Sequence, residues 1–462
     1  MFLRHITHFF NSKGCLKILK NLFIETIGCQ MNERDSEIML QLLEQQGYLL
    51  CADLDSADAV IVNTCSIRGK AEQKAYSFIG SLRRLKKKKP RLIIAVAGCV
   101  AQQEGAKMKA RMPHVDIIVG PQAIYQLPDF FRQAADAPGV IATSQHKEFR
   151  IPPFLPDIRH GLPHKRFVTI MQGCNNYCTY CIVPYTRGRE VSRLPEDILA
   201  EVRHLVAGGV REITLLGQNV NSYGNDQPAG GKTSFPELLR QVAAIPGLIR
   251  LRFTTSNPKD LSPALMTCFE DLDNLCHHFH LPVQSGSNAV LKKMNRKYTV
   301  ESYMDQVRGL RRACGDISLT TDIIVGFPGE TEADFQATMD LLEEVRYDSA
   351  FSFKYSSRPP AASCNLAETV SEEEKAQRLA LFQERQKEIS LERHQEFVGT
   401  TLQVMIEGES KTGQGQWSGR TSHNLIVNFH SPRTYRPGEL ENVTITEGCL
   451  HSLRAELSQG EK

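Results

Sequence analysis

The stretch that decides the fold carries three closely spaced cysteines, Gly173-Cys174-Asn175-Asn176-Tyr177-Cys178-Thr179-Tyr180-Cys181. It directly follows an alternating run at 167–171 that predicts a strand. A cubane cluster has four irons, so three thiolates leave one iron without a protein ligand. We therefore expect Cys174, Cys178 and Cys181 to hold a [4Fe–4S] cluster with one iron open to a small molecule.

A structural zinc site is the alternative for this loop. Zinc normally takes four nitrogen or sulfur ligands, and His160 and His164 are near enough in sequence to supply one. An open iron instead suits S-adenosylmethionine (SAM), whose amino and carboxylate groups it can chelate. The reduced cluster can then pass one electron to the sulfonium and release a 5′-deoxyadenosyl radical. The spacing of the three thiols favours the cluster.

The chain of 462 residues, 41% of them hydrophobic, is too long for one compact core and predicts roughly three domains. Strand and helix signals alternate over 22–127, which predicts a parallel α/β sheet. They alternate again over 167–355, and about six βα units there predict a partial (β/α) barrel. Short strands between Gly and Pro turns predict a small antiparallel β-barrel at the C-terminal end.

The predicted domains are an extension at 1–20 that we expect to be disordered, an N-terminal α/β domain at 21–137, a proline-rich linker at 138–159, a core at 160–393 and a small barrel at 396–459. The predicted strands are 22–27, 59–63, 92–97, 167–171, 212–216, 251–254, 278–281, 319–325, 350–355, 402–406, 423–429 and 441–446. Helices are predicted from Asp35, Lys70 and Ser371.

Composition limits the class of protein. The formal net charge is +3, so overall charge neither requires nor excludes a nucleic-acid partner. Thirteen cysteines, an odd number without a secretory signal, argue against a disulfide scaffold. No run approaches the roughly 20 apolar residues that cross a bilayer, and 1–24 lacks the apolar segment of a targeting signal. We expect no membrane association and a cytoplasmic location.

Cys29, Cys65 and Cys99 are far apart in the sequence, yet each one ends a β-rich run. Their spacings of 36 residues (29 to 65) and 34 residues (65 to 99) each match one βα unit. Because the carboxyl ends of parallel strands meet at one edge of a sheet, the three thiols can converge there. We expect them to hold a second [4Fe–4S] cluster; the alternative is three buried core thiols.

The 174–181 loop and the chain around it, about 166–393, resemble the radical SAM superfamily. The resemblance implies that the three cysteines bind the cluster and that Tyr180 lies near the SAM adenine. Motifs at later strand ends imply further SAM contacts by Gly217, Gln218, Asn219, Pro282, Gln284, Ser285 and Gly326. Barrel enzymes place their chemistry at these strand ends, although each motif taken alone also fits a simple turn.

Both cysteine triplets and the small C-terminal barrel together are similar to the methylthiotransferases, from about residue 22 onward. In that family the C-terminal barrel is an RNA-binding TRAM domain. Three motifs resemble the branch that acts on N6-isopentenyladenosine beside the tRNA anticodon: Gly28-Cys29-Gln30-Met31-Asn32, Asn63-Thr64-Cys65-Ser66-Ile67-Arg68 and Leu216-Gly217-Gln218-Asn219-Val220-Asn221.

The resemblance implies an enzyme that methylthiolates C2 of N6-isopentenyladenosine at tRNA position 37, with two [4Fe–4S] clusters. One SAM would donate the methyl group, and a second would supply the radical. The implied partners are a tRNA anticodon stem-loop and an electron donor of flavodoxin or ferredoxin type, with the enzyme a monomer. The alternatives are threonylcarbamoyl-adenosine in tRNA or a ribosomal-protein aspartate as substrate, or a non-catalytic RNA-binding iron–sulfur protein.

Several residues are candidates for nucleic-acid contacts, and those beside the first triplet also for cofactor contacts, each with a solvated surface as the alternative. They are Arg187, Gly188 and Arg189 beside the first triplet, the basic run at 83–89, and Trp417, Arg420, His423, Arg433, Tyr435 and Arg436 near the C-terminal end. One stretch, Arg358-Pro359-Pro360-Ala361, departs from the family by replacing a flexible turn residue with a rigid one.

Overall fold

The computed structural model describes residues 19–66, 69–137, 139–156, 162–227, 232–410, 413 and 415–458, apart from the side chains at 69 and 70. These residues form two compact units. The first comprises 19–156 with Gln172–Asn175 and Ile182–Val191, and the second comprises 162–171 with Asn176–Cys181 and 192–458. Most of the predicted 1–20 extension, His160 and the end of the 63–68 motif lie outside the described residues.

The first unit is built on a six-stranded sheet. Its elements are β1 (Lys20–Thr26), α1 (Gln30–Glu44), β2 (Tyr48–Leu50), β3 (Ala59–Thr64), α2 (Gly69–Lys88), β4 (Ile93–Gly98), α3 (Cys99–Arg111), β5 (Ile117–Val119), α4 (Leu127–Asp136) and β6 (Val140–Ala142). The strand order is β2-β1-β3-β4-β5-β6 and every pair is parallel, as predicted. Strands β3 and β4 are buried throughout, as a parallel sheet covered on both faces requires.

Three boundaries in this unit differ from the sequence predictions. Helix α1 begins at Gln30 rather than Asp35, because the Cys29 carbonyl accepts the first helical hydrogen bond, from the Glu33 N–H at 3.1 Å. Strand β6 lies inside the stretch predicted as a linker, since it pairs with β5 and extends the sheet. Lys20 belongs to β1 and not to the extension. The remaining domain boundaries stay predictions.

The chain from 162 onward contains β7 (Lys165–Thr169), β8 (Met171–Gln172), α5 (Val183–Thr186), β9 (Val191–Ser192), α6 (Pro195–Ala207), β10 (Glu212–Leu216), α7 (Phe235–Ala243), β11 (Arg250–Thr254), α8 (Pro263–Asp271), β12 (His278–His280), α9 (Asn288–Lys293), α10 (Val300–Ala313), β13 (Ser318–Val325), α11 (Glu332–Val345), β14 (Ser349–Lys354) and α12 (Glu372–Gln395). Six parallel strands, ordered β7-β10-β11 and β12-β13-β14, form the predicted partial barrel. A parallel bridge between Leu251 and Leu275 connects the two groups, and one apolar cluster packs the strands against their helices.

The C-terminal strands are β15 (Thr401–Glu409), β16 (Gln416–Arg420), β17 (Ile426–His430), β18 (Leu440–Gly448) and β19 (Leu453–Leu457). They close into the predicted small barrel. Among the described strands of this barrel, β17 and β19 pair in parallel and the other neighbouring strands pair antiparallel. His423 lies in the turn before β17, not in a strand as predicted, because the backbone turns there, with the Asn424 N–H on the Thr421 carbonyl at 3.1 Å. None of the described helices combines the length and apolar character needed to cross a membrane.

The small barrel is fixed to the amino ends of the core strands, within the second unit. At the start of β11, Arg250 donates to the carbonyl of Gln403 at 2.9 Å, and Arg252 donates to the carbonyl of Thr421 at 2.7 Å. The strand-end motifs predicted to bind SAM follow the carboxyl ends of the same strands. The barrel and those motifs therefore lie at opposite ends of the core strands.

Candidate functional site

Three adjacent strands of the first unit bring Cys29, Cys65 and Cys99, hereafter the N-terminal triplet, to one edge of the sheet. The register pairs Thr26 with Asn63 across β1 and β3, and pairs Asn63 with Ala97 across β3 and β4. Each cysteine follows within three residues of these positions. Since neighbouring strands are about 4.8 Å apart, the three thiols converge as the sequence predicted.

Two glycines permit the close approach of the cysteine loops. A Cβ on Gly28 would lie 2.6 Å from the Cβ of Cys65. Gly98 has a φ of 95°, and a Cβ there would lie 2.2 Å from the carbonyl oxygen of Thr64. Larger residues would push the strand ends apart, so both glycines serve the convergence of the thiols.

A buried polar framework supports the triplet. The Asn63 side chain donates to the carbonyl of Asn32 at 2.8 Å and to Ser36 Oγ at 3.0 Å, which fixes the first turn of α1 to the end of β3. The Asn32 side chain in turn donates to the carbonyl of Ile27 at 3.2 Å. No sequence pattern indicates these contacts beyond the motifs that contain the two asparagines.

Arg187, a candidate for cofactor or nucleic-acid contact from the sequence, lies inside the first unit beside the N-terminal triplet. Its side chain is 3% exposed, and Nη2 donates to Asp35 Oδ2 at 2.7 Å and to Asn32 Oδ1 at 3.1 Å. Within the described part of the chain, the buried Nη1 atom has no hydrogen-bond partner. A fixed cation with an unused N–H donor suits a ligand of negative charge.

The thiols of the triplet differ in their ionisation. A hydrogen bond with Cys65 and the nearby Arg187 charge outweigh burial and lower the pKa of Cys29 to about 6. Burial raises the pKa of Cys99, although the Arg187 charge opposes it. Thiolates are the metal-binding form of cysteine. Three gathered sulfur donors beside an orphaned guanidinium N–H therefore fit an iron–sulfur cluster whose thiolate ligands give it net negative charge.

Arg187→Gln is expected to destabilise the first unit strongly. It leaves the Asp35 carboxylate, 5% exposed, without its cation, and breaking a buried pair costs about 3–5 kcal/mol. The matched control is Arg189→Gln at an exposed neighbour, with an effect of about 0.5 kcal/mol or less. The measurement is the melting temperature of the anaerobic proteins, and equal values for the two variants would contradict the assignment.

The second group, Cys174, Cys178 and Cys181, is hereafter the core triplet. Within the second unit, Arg296 donates from Nη1 to Cys178 Sγ at 3.2 Å and from Nη2 to the carbonyl of Pro282 at 3.1 Å. This places Cys178 at the carboxyl end of β12, beside the strand-end motif that contains Pro282. Arg296 itself was missed, since no recognised motif contains it.

Cys174 belongs to the first unit. Its N–H donates to the carbonyl of Gly188 at 3.2 Å, and a Cβ on Gly173 would lie 2.0 Å from the carbonyl oxygen of Arg189. The segment that carries Arg187 thus also holds the start of the cysteine loop. His164, considered as a zinc ligand, instead packs against Gly438 of the small barrel.

Asn219 has the surroundings expected of a SAM contact. It is 1% exposed, its Nδ2 donates to Asp260 Oδ2 at 2.7 Å, and its Oδ1 has no partner among the described residues. An orphaned buried acceptor suits an ammonium donor such as the SAM amino group. A Cβ on neighbouring Gly217 would lie 2.5 Å from Met171 Cγ, so glycine is needed there. Gln218, beside it, is half-buried.

The other predicted SAM residues also follow strand ends. Gln284 has a φ of 76° and pairs through its backbone with Asp322 and Ile324 of β13. The fully buried Ser285 hydroxyl accepts a hydrogen bond from the Ser287 N–H at 3.2 Å, so it stabilises the loop that follows β12. A Cβ on Gly326 would lie 2.3 Å from Lys375 Cγ, and Tyr180 packs against an apolar cluster containing Phe327. Their roles toward SAM stay predictions.

Most RNA candidates in the small barrel have structural roles instead. Trp417 and Tyr435 lie in the barrel core with ring centroids 5.2 Å apart, so they are not stacking platforms for bases. His423 is 5% exposed and bonds to Asp316, and Arg420 pairs with Glu407 at 3.2 Å. Because Trp417, Tyr435 and His423 are buried, the predictions of RNA contact for them are wrong, whereas Arg420 is 26% exposed and its contact with RNA stays a prediction.

The exposed basic candidates are fewer. Arg436 is exposed, and Arg433 is exposed but pairs with Glu439 at 3.1 Å. In the run at 83–89, Lys86 and Lys89 bond to carbonyls of the sheet loops, while Arg83, Arg84, Lys87 and Lys88 are exposed. The unusual stretch at 358–361 still forms a turn, closed by the Ala361 N–H on the Arg358 carbonyl at 2.8 Å.

Comparison with known proteins identifies the family. Three family models match: Uncharacterized protein family UPF0004 at residues 21–120, the Radical SAM superfamily at 168–342 and the TRAM domain at 395–458. A tRNA-2-methylthio-N(6)-dimethylallyladenosine synthase of Desulfotalea psychrophila is 53% identical over 448 residues, covering 95% of this chain and 99% of the relative. The chain belongs to this synthase family. Another member, from Geotalea uraniireducens, is 51% identical over 440 residues, covering 95% and 99%.

Solved structures support the fold of the synthase family. The radical SAM methyltransferase TsrM of Kitasatospora setae matches with a TM-score of 0.53 and 14% identity, covering 87% of this chain and 77% of that one. OxsB, a cobalamin-dependent SAM radical enzyme, matches with a TM-score of 0.50 and 12% identity, covering 75% and 54%. The predicted fold class is confirmed. The chain is a radical SAM methylthiotransferase whose cofactors are SAM and two [4Fe–4S] clusters.

Proposed function

We propose that this chain methylthiolates C2 of N6-dimethylallyladenosine, which is N6-isopentenyladenosine, at position 37 of tRNA. The observation that carries the proposal is the N-terminal triplet gathered around the buried Arg187 guanidinium, in a chain that also carries the core triplet. Adenine C2 has an unactivated C–H bond, which no side-chain acid or base can break unaided. Radical chemistry from a cofactor is therefore required.

The chain's own residues bind and orient the reacting groups. When bound, the two clusters supply the electron that cleaves SAM and the sulfur that enters the product. Arg187 offers its unused N–H toward negative charge at the N-terminal triplet, and Arg296 fixes the Cys178 sulfur by an N–H donor. Asn219 Oδ1 is available to accept a hydrogen bond from the SAM amino group. Burial of these groups excludes water from reactive species.

The TRAM domain agrees with a tRNA substrate, and the relatives named above are tRNA-modifying synthases. The finer partner assignments rest on the family resemblance. They are an anticodon stem-loop carrying the dimethylallyl group, an electron donor of flavodoxin or ferredoxin type, and a monomeric enzyme. We also propose a cytoplasmic location, which a tRNA substrate supports.

Nucleoside mass spectrometry of tRNA from a strain lacking the gene tests the proposal. We expect N6-dimethylallyladenosine to accumulate and its 2-methylthio derivative to disappear, with both reversed by the wild-type gene. An unchanged level of the 2-methylthio derivative would exclude this substrate, and loss of methylthio-threonylcarbamoyl-adenosine would assign the other tRNA substrate. A non-catalytic protein would form no 5′-deoxyadenosine from SAM after anaerobic reduction.

Arg436→Gln is expected to weaken tRNA binding through loss of one phosphate contact by an exposed cation. The slope of log affinity against log salt concentration should fall by about one. Arg433→Gln is the matched control, because the Arg433 guanidinium is engaged by Glu439 at 3.1 Å. The measurement is tRNA affinity by fluorescence anisotropy over a salt series. Identical slopes in wild type and Arg436→Gln would refute the phosphate contact.

A further inference from the structure

A separate group of ligand-type side chains lies where the small barrel meets the amino ends of the core strands. His277 precedes β12, Asp316 precedes β13, and His423 lies in the turn between β16 and β17. Their ligand atoms all lie within 4.8 Å of one another. All three belong to the second unit and lie at the opposite end of the core strands from Cys178.

The Asp316 carboxylate faces both imidazoles. Oδ2 lies 2.9 Å from His423 Nε2, and Oδ1 lies 2.8 Å from His277 Nδ1. The second contact is close but not aligned as a hydrogen bond, so the buried Nδ1 atom has no such partner in the described part of the chain. Metal binding releases protons from its ligands, so an ion can take the place of a proton between the Asp316 carboxylate and each imidazole.

We propose that His277, Asp316 and His423 form a binding site for a divalent first-row transition metal, with zinc as the best fit. Imidazole nitrogen and carboxylate oxygen bind zinc at about 2.0–2.2 Å, so ligand atoms of a tetrahedral site lie about 3.4 Å apart. The three side chains reach that geometry by small movements. Asp316 is 55% exposed and His277 is 36% exposed, which leaves the fourth position open to water.

The surroundings hold the ligands in place before metal arrives. The His277 N–H donates to Ser422 Oγ at 2.9 Å, and Arg252 donates to the carbonyls of Thr421 and Ser422, next to His423. The buried Cys314 thiol donates to Asp316 Oδ1 at 3.3 Å and so helps to orient the carboxylate. Zinc accepts mixed nitrogen and oxygen ligands.

A metal ion in this site would connect the small barrel to the core. Two ligands come from the core and one from the small barrel, so one ion bridges them. Metal binding in such a preformed arrangement stabilises the assembled state. The site therefore fixes the orientation of the RNA-binding barrel against the core that carries Cys178, without touching the cluster chemistry.

The test is zinc content of the full-length protein carrying its clusters. Anaerobic protein is dialysed against zinc sulfate, then zinc and iron are quantified together by mass spectrometry. We expect about one zinc per chain for the three-ligand site, and at least a tenfold lower zinc content in His423→Ala and Asp316→Asn with unchanged iron. The matched control His430→Ala, at an exposed histidine of the same barrel, should keep its zinc.

Zinc should also raise the melting temperature of the wild type and not that of Asp316→Asn. Wild-type protein without bound zinc, or with the same zinc content as both variants, would overturn the proposal. In that case the three side chains only connect the small barrel to the core by hydrogen bonds. His423→Ala then lowers the melting temperature equally with and without zinc.

Discussion

Changing the whole N-terminal triplet to Ala should abolish formation of 2-methylthio-N6-dimethylallyladenosine while SAM is still cleaved to 5′-deoxyadenosine. The reason is structural. Cys29, Cys65 and Cys99 follow strands of the first unit, whereas Cys178 keeps its contact with Arg296 in the second. The variant therefore loses the proposed sulfur-supplying site and retains the site that cleaves SAM. Both products are measured by liquid chromatography and mass spectrometry in one anaerobic reaction.

The matched control for the triple variant is Cys51→Ala with Cys449→Ala, two free thiols outside either triplet. We expect this control to form both products at wild-type levels. Retained thiolation in the triple variant would refute the role of the N-terminal triplet. Loss of 5′-deoxyadenosine together with thiolation would show that the two sites do not act separately.

Changing the core triplet to Ala should abolish both products, because thiolation depends on SAM cleavage at that site. Arg296→Met is the finer variant, since it keeps all three thiols and removes the N–H donor to Cys178. Loss of a contact behind a metal ligand typically costs about 10–100-fold in metal affinity or activity. We expect a loss of that size in the rate of 5′-deoxyadenosine formation. An unchanged rate would contradict the positioning role of Arg296.

Local patterns in the sequence predicted the architecture well. The core strands lie within two residues of their predicted bounds, because strand signals depend on neighbouring residues. Convergence of the N-terminal triplet was also predictable, since one cysteine per βα unit in a parallel sheet leads to one edge. Helix α1 was placed too late because its polar first turn, from Gln30, was not recognised as helical.

Contacts between distant residues could not be predicted in the same way. Arg187 bonds to Asp35 across 152 positions, and Arg296 bonds to Cys178 across 118, distances over which no periodic pattern carries information. Burial of the aromatic residues in the small barrel was not predictable from local sequence either. The sequence predicts that Trp417 and Tyr435 are surface aromatics for RNA, yet closure of the small barrel places both rings in its core.

The roles of the two triplets require each of them to hold its own four-iron cluster. Iron is quantified after anaerobic reconstitution, on the wild type and on the two triple alanine variants side by side. We expect about eight irons per chain in the wild type and about four in each variant, from the composition of the cubane cluster. An unchanged iron count in either variant, or loss of all iron in one of them, would contradict it.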